Sequence, residues 1–324
     1  MQIKNDLNLH SVISVWLASN TYTGSNDESS ISATGLLRSI RQQVLSRKCV
    51  REGNELCVDI STLMKSKTGT AIHRCIQESW EDPNIRQKAC AALGWANTRI
   101  DKIHVNPEEP ISGETNIYFE QRASKEVGGW KINGEFDCVI NGTVLDFKST
   151  STYTYINKTK TEDYIKQLSI YRWLNPDLIT SDVGIIQFIF TDWNLKDSLS
   201  NPDYPRHPFE LIKLPLMSFA ETEAFVKESL KNLEYYSEHL DELPLCGDHT
   251  LMITPIWQYF SANNKSNKST KNFKSYEEAL AYKLSKGNTG IIKRKAQEPK
   301  GCAYCSCRHV CDQYANFVKM GLIK

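Results

Sequence analysis

Long apolar runs are missing from this chain, and so is any marked excess of one charge. No stretch approaches the roughly 18 consecutive apolar residues of a membrane-spanning helix, and the opening Met1-Gln2-Ile3-Lys4-Asn5-Asp6 has neither the basic nor the apolar region of a secretion signal. The expectation is a soluble protein of the cytoplasm with no membrane partner. In that compartment the ten cysteines are expected to be reduced, and to serve as core, metal or cluster residues rather than as a disulfide framework. There is no internal repeat, no P-loop, and a single low-complexity patch at 261–270. A net charge of +1 does not by itself call for a nucleic-acid partner.

What is present is enough for a large core: 324 residues, 40% of them hydrophobic, fit one large domain or two smaller ones. The charge is unevenly spread. Residues 264–300 hold ten lysines and arginines against three glutamates, so the remainder of the chain is acidic overall. A basic segment on an acidic body suits phosphates at one place and cations at another; a solvated lysine-rich surface is the plainer alternative.

Residues 18–31 are polar and turn-rich and read as a loop. Ser32 is placed to cap a helix through Leu36, Leu37, Ile40, Val44 and Leu45, and a second helix fits Thr70 to Trp80. Strands are expected over 116–123, 129–140 and 143–149, a helix from Glu162 to Leu174 ahead of Pro176, a buried strand over Val183 to Thr191, and a long amphipathic helix over 218–240. From Leu243-Pro244-Leu245-Cys246 onward the pattern is a small module: a strand at Ile256 to Phe260, a polar hairpin tip, a helix at Tyr276 to Leu284, another strand and a run of cysteines. The expected divisions are an N-terminal segment over 1–31, a mixed α/β core over 32–245 and a C-terminal module over 246–324.

The most informative stretch runs from Gly134 to Lys148. Asn141-Gly142 between alternating apolar residues signals a two-residue hairpin turn, since both residues tolerate positive φ. That turn sets Ile140 against Thr143, Val139 against Val144, Cys138 against Leu145, Asp137 against Asp146, Phe136 against Phe147 and Glu135 against Lys148. Alternation then puts Glu135, Asp137, Asp146 and Lys148 on one face and Phe136, Cys138, Leu145 and Phe147 on the other, the core face. Two carboxylates directly opposite one another weaken a sheet unless a positive group lies between them. A divalent metal is the economical explanation, with Lys148 beside Asp146 to orient or deprotonate an attacking water. The alternative is a solvated charged face with Lys148 paired to Glu135.

Asp137 followed by Asp146-Phe147-Lys148 resembles the active-site motif of the PD-(D/E)XK nuclease superfamily. Gly69-Thr70-Ala71-Ile72-His73 resembles the glycine-then-histidine helix of its RecB-like exonuclease branch, and Gln167-Leu168-Ser169-Ile170-Tyr171 resembles that branch's Gln-x-x-x-Tyr helix. The motifs come in the family's order and cover roughly residues 32 to 200. The resemblance implies a restriction-endonuclease-like α/β fold, a central mixed sheet flanked by helices, with the cysteine-bearing module appended. It implies one or two Mg²⁺ or Mn²⁺ ions held by His73, Asp137, Asp146 and the Phe147 carbonyl. Catalysis would fall to Lys148, Asp146 and Asp137, with Gln167 and Tyr171 on one helix face to position a phosphate or the lysine. Glu120 and Arg122 fall on the preceding strand, near enough to support the site but with no motif that assigns them to it. Tyr164, one turn before Gln167, reads equally well as packing.

Cys302, Cys305 and Cys311 form a C-x2-C-x5-C run that resembles the C-terminal part of the iron–sulfur signature in the CRISPR-associated and AddB-type members of the branch. In those proteins the fourth cysteine lies upstream in a Cys-Pro-Arg context, and here the matching place, Ser39-Ile40-Arg41, has serine. Cys246 is the replacement that would tie together the two ends of the small module, and Cys307, Cys49 and Cys57 are further candidates; the bound group is a 4Fe-4S cluster or Zn²⁺. The implied activity is metal-dependent hydrolysis of DNA from its ends, in phage or bacterial recombination, repair or replication, in a bacterial or phage-infected cytoplasm. A recombination or replication partner protein fits that setting. The rivals are an endonuclease on the same core and a catalytically inactive DNA-binding subunit. Polarity, strand preference and oligomeric state stay open.

Overall fold

A computed structural model describes residues 2–19, 27–54, 57–253, 255–263, 268–295 and 297–323. Half of the loop expected at 18–31, residues 20–26, and the centre of the polar hairpin tip lie outside the described residues. The chain divides into two units, one of residues 1–37 and 57–235, the other of residues 38–56 and 236–324.

The first unit is built on a seven-stranded mixed sheet flanked by helices. Its path runs Ile103–Val105, Thr115–Val127, Trp130–Ile140, Thr143–Thr150, Val183–Phe190 and Phe209–Pro215, and Ser30–Ser32 pairs with Trp130–Ile140 from outside that path. Asn141 and Gly142 both take positive φ, as a type I′ turn requires. The hairpin register expected from that turn holds for Ile140–Thr143, Val139–Val144 and Cys138–Leu145, and there the ladder stops. Beyond Leu145 the strand Thr143–Thr150 instead runs parallel to Val183–Phe190, from Leu145–Ile185 to Thr150–Phe190. The edge it leaves open is taken over by Ser30–Ser32, which pairs with Lys131 to Asn133. The expected pairings of Asp137, Phe136 and Glu135 across the hairpin therefore do not form: the two strands diverge after Cys138–Leu145, and Ser30–Ser32 takes the place further along the same edge. Glu135 meets Arg122 instead, at 2.6 Å.

Both faces of this sheet are covered, which corrects the expectation of one core face and one charged face. On one side Ile103, Ile117, Phe119 and Cys138 pack with Leu145 and Phe147 and with Ile76 and Trp80 of the helix Met64–Glu81. On the other the helix Thr161–Leu174 lies against the sheet and is buried nearly all round, including Leu168 and Ile170 at 0% exposure. From Gln167 to Trp173 every residue of this helix is buried, polar Gln167, Ser169 and Arg172 included, which places its C-terminal half inside a layered core. Two other elements differ from expectation. The single helix expected from Ser32 through Leu45 is two, Ala33–Leu36 capped by Ser32 and Ile40–Arg51, because Ser39 forms its own capping box with Gln42. The edge strand Phe209–Pro215 was not expected, although its sequence Phe-Glu-Leu-Ile-Lys-Leu-Pro is largely apolar.

The second unit combines the helix Ile40–Arg51 with the C-terminal segment. A three-stranded antiparallel sheet, in the order Lys271–Phe273, Trp257–Phe260, Ile291–Arg294, carries the helix Tyr276–Ser285. Two short 3-10 turns, Lys300–Tyr304 and Arg308–Val310, bring in the cysteines ahead of the helix Asp312–Lys319. No helix among the described residues is long and apolar enough to cross a membrane.

Candidate metal centre and thiol site

The parting of strands places Asp137 where neither neighbour pairs with it. On one side the Asp146 strand has turned away; on the other Glu120 sits opposite Asp137 with φ of +47°, and the ladder between Thr115–Val127 and Trp130–Ile140 skips that pair. Asp137 uses the gap: its Oδ2 accepts the backbone N–H of Phe147 at 2.8 Å and lies 3.5 Å from His73 Nδ1. His73 Nε2 is 2.9 Å from the Phe147 carbonyl, and because a carbonyl only accepts, the ring donates from Nε2 and presents Nδ1 to the carboxylates. His73, Glu120 and Asp137 each bring a ligand atom within 4.8 Å of the others, forming the one group of three or more such side chains found among the described residues.

Gly69 makes this reach possible. It lies one turn before His73 on the same helix face, and a Cβ there would meet Ser149 Oγ at 3.0 Å. With only hydrogen at that position the helix lies close against the Thr143–Thr150 strand, so that His73 touches the backbone of Phe147.

Asp146 is the inner member of the site, 1% exposed. Its Oδ1 accepts from Gln167 Nε2 at 3.2 Å. Lys148 Nζ stands 2.6 Å from Oδ2 as an ion pair but outside hydrogen-bonding geometry, and Oδ2 is a buried oxygen with no hydrogen bond. Lys148 donates instead to Gln167 Oε1 at 3.1 Å, while Gln167 Nε2 also donates to Tyr171 OH at 2.8 Å. Gln167 thereby holds the lysine with one end of its amide and the aspartate with the other. Tyr164 lies beneath the ammonium, its ring 5.6 Å from Nζ.

The electrostatics follow from crowding. Burial raises the Asp146 pKa to about 6 against the pull of Lys148, with Asp137 adding to the rise. Burial and the Asp137 charge push Glu120 up to about 7. Burial works against protonation of His73, but contact with Asp137 outweighs it and the His73 pKa is raised. Burial and neighbouring carboxylates keep Tyr171 far above its usual value, so it remains a neutral hydroxyl. Burial and the Asp137 charge thus raise the proton affinity of Glu120 and Asp146, a cost that a bound cation would relieve. All of the expected nuclease-site residues, His73, Asp137, Asp146, Phe147, Lys148, Gln167 and Tyr171, are gathered here. Glu120, which the sequence placed near the site without a motif to assign it, is a member of the group, set directly across from Asp137.

In the second unit Cys246, Cys302, Cys305, Cys307 and Cys311 line one cavity, together with the buried Arg41. Ser39 Oγ lies 3.3 Å from Cys246 Sγ, so the serine at the expected cysteine position and the thiol offered in its stead are neighbours. Arg41 bonds the Pro244 and Leu243 carbonyls at 2.8 and 2.7 Å and pairs with Asp312. That staples the 243–246 turn to the helix Ile40–Arg51. Cys305 and Cys307 sulfurs are 3.4 Å apart. That hydrogen bond holds Cys305 down to about 6, while burial and the other thiols push Cys302 up to about 11 and raise Cys246. Cys49 is buried, its sulfur 3.8 Å from His309 Nε2, and the side chain of Cys57 lies outside the described residues.

No family model matches the chain, and no curated protein does. Among solved structures it is similar to SSO0001, at 16% identity over 68% of this chain and 84% of that one, with a TM-score of 0.40. It is also similar to a phage-related exonuclease from Haemophilus somnus 129PT, at 20% identity over 38% of this chain, TM-score 0.26. An alkaline exonuclease (LHK-Exo) from Laribacter hongkongensis matches at 18% identity over 37% of this chain, TM-score 0.24. The chain spans 61% of each of these two exonucleases.

Proposed function

We propose that the chain is a metal-dependent deoxyribonuclease that hydrolyses phosphodiester bonds from DNA ends. The observation that carries this reading is the convergence of His73, Glu120 and Asp137 beside the buried Asp146–Lys148 ion pair. One lysine faces three carboxylates there, and a hard divalent cation is the partner that oxygen donors favour for the remaining charge. His73, Glu120, Asp137, Asp146 and the Phe147 carbonyl would hold Mg²⁺ or Mn²⁺, which when bound polarises a phosphoryl oxygen and lowers the pKa of its water. The remaining work falls to the chain. Lys148, steered by Gln167 and Asp146, orients the attacking water and meets the negative charge that grows on the phosphoryl oxygens. Gln167 is a positioning residue, and Tyr171 anchors it. DNA as the substrate rests on the motif resemblance, whose four short motifs meet at this one place.

The same reading gives Cys246, Cys302, Cys305 and Cys311 a 4Fe-4S cluster that fastens the second unit. A zinc ion with Zn–S bonds of about 2.3 Å draws its sulfurs to within about 4 Å of one another. Among the described residues no three cysteine or histidine ligand atoms converge within 4.8 Å, whereas the four thiols surround a cavity. Four cysteines are the ligand set of a 4Fe-4S cluster, and these sulfurs stand wider apart than a single zinc ion draws its ligands. Bound iron with a brown visible absorbance after anaerobic purification is the expected result; stoichiometric zinc without iron would reverse the assignment.

The test of the nuclease reading is digestion of end-labelled linear single- and double-stranded DNA, with covalently closed circles alongside, in Mg²⁺ and Mn²⁺. Wild type is compared with Asp146→Asn. Loss of linear DNA only, with metal only, and only for wild type supports an exonuclease. Cutting of circles makes it an endonuclease, and retention of DNA without any cutting makes it a binding subunit.

A further inference from the structure

The three-stranded sheet of the second unit has one face covered and one bare. Register sorts its residues into cross-strand rows: Phe273–Trp257–Arg294, Asn272–Gln258–Lys293, Lys271–Tyr259–Ile292, and Phe260–Ile291. Alternate rows share a face. Trp257, Tyr259 and Phe273 meet Tyr276 and Tyr282 of the helix Tyr276–Ser285 with ring centroids 5.0 to 5.2 Å apart, so the first and third rows form the covered face. The second and fourth rows, Asn272, Gln258, Lys293, Phe260 and Ile291, form the other.

The two faces treat their cations differently. On the covered side Arg294 pairs with Asp248, and Lys271 Nζ sits 4.8 Å from the Tyr282 ring. On the bare side Lys293 and Lys295 are exposed and neither joins an ion pair among the described residues. The Lys295 N–H continues the ladder to the Ile256 carbonyl at 2.8 Å, which keeps the two ammonium groups two residues apart on one face. Lys293 Nζ lies 5.8 Å from the half-buried Phe260 ring, and Ile291 beside it is 51% exposed. Ser269 links the Gln258 and Asn272 amides into one polar row, at 3.3 and 2.7 Å.

We infer that this face binds a single strand of nucleic acid, phosphates at Lys293 and Lys295, a base against Phe260 and Ile291, and base edges at Gln258 and Asn272. Unpaired lysines beside an aromatic and amides are the elements of single-strand recognition on a sheet. A duplex is the poorer fit, since a major groove admits a helix or a two-stranded ribbon, and three strands spaced about 4.8 Å apart present a broader surface. Binding at this face requires no cleavage, so it can be measured with the metal withheld.

The experiment uses the full chain in EDTA, with a labelled single-stranded oligonucleotide and the same sequence as a duplex, titrated at several salt concentrations by fluorescence anisotropy. Wild type is expected to prefer the single strand. The double variant Lys293→Glu/Lys295→Glu should weaken that binding at least tenfold and flatten the log–log salt slope by about 1.4, two phosphate contacts at about 0.7 each. Lys283→Glu/Lys286→Glu, with the same charge change on the helix, should lose no more than a few-fold. Phe260→Leu keeps the apolar contact and should cost several-fold on the single strand alone. Equal loss from both double variants, unchanged binding in Lys293→Glu/Lys295→Glu, or a preference of wild type for the duplex would overturn the assignment. A chain that binds in this way but cuts no DNA would fault the nuclease reading and leave this surface standing.

Discussion

The two donor sets of this chain solve the same problem, holding like charges together, by opposite means. The carboxylates of the first unit crowd round one lysine: Asp137 has no strand partner on either side, and the buried Asp146 pairs with Lys148 at 2.6 Å. The thiols of the second unit are partly satisfied, Cys307 by Cys305 and Cys246 by Ser39. The first arrangement could take up a small, highly charged ion; the second lines a cavity with sulfur. Hard oxygen donors and soft sulfur donors are thus segregated by unit, a division that would favour different metals at the two places.

The sharpest way to break the comparison is to remove one set and look at the other. Asp146→Asn should lower cleavage by on the order of 10³-fold or more, with circular dichroism unchanged and iron content intact. Loss of iron together with activity in this variant would mean that the two sets are not separate. Conversely, Cys302→Ala should abolish bound iron and lower Tm by on the order of 10 °C, as expected for a structural site worth several kcal/mol. Calorimetric titration of that variant should still show Mn²⁺ binding at the carboxylates.

Titration gives a smaller and more pointed effect. Glu120 and Asp146 have folded-state values near 7 and 6, above their ordinary values of 4.5 and 3.8. Raised carboxyl values mean that the metal-free fold gains from protonation at low pH and loses that gain as pH rises through about 7. The raised His73 acts in the same direction. Metal-free protein should therefore melt at a lower temperature at about pH 8 than at about pH 5, and saturating Mn²⁺ should remove the difference; a metal-free Tm that climbs over this range would contradict the crowding argument. Glu120→Gln relieves one charge, so at about pH 8 it should raise the metal-free Tm by roughly 2–4 °C while shrinking the Mn²⁺-induced shift. The mildest change is Tyr171→Phe, which takes the hydroxyl from Gln167 Nε2 and should cost several-fold in kcat with little change in KM.

The same contrast explains what could be read from residues alone. The hairpin, its turn and the first three cross-strand pairs were legible because 15 consecutive residues, Gly134 to Lys148, encode them locally. The parting of the strands before Asp137 meets Asp146 was not, since Ser30–Ser32, distant in sequence, takes the place further along that edge. Glu120 was named as support but not as a member of the site: its place there comes from a left-handed backbone turn inside a strand, which no periodicity announces. The motif helices were recognisable by spacing, although their boundaries shifted, Thr70–Trp80 lengthening to Met64–Glu81. On the thiol side, the helix Ile40–Arg51 is more than 200 positions from the cysteines it meets, with Ser39 and Cys246 separated by 207. Only the motif resemblance at Ser39-Ile40-Arg41 tied it to the cysteines; its periodicity read as a continuation of the helix begun at Ser32.

Gly69 sets a mechanical tolerance on all of this. A methyl group there would meet the Ser149 hydroxyl at 3.0 Å, so that either this side chain turns aside or the helix is shimmed off the strand by a few tenths of an ångström, every ligand staying chemically intact. Oxygen and nitrogen ligands of small divalent ions work within about 0.2 Å of their preferred distances. The clearance at one hydrogen atom thus serves as the calibration of the instrument: unless Ser149 turns aside, a Gly69→Ala chain would own every part of the site and hold them at the wrong gauge.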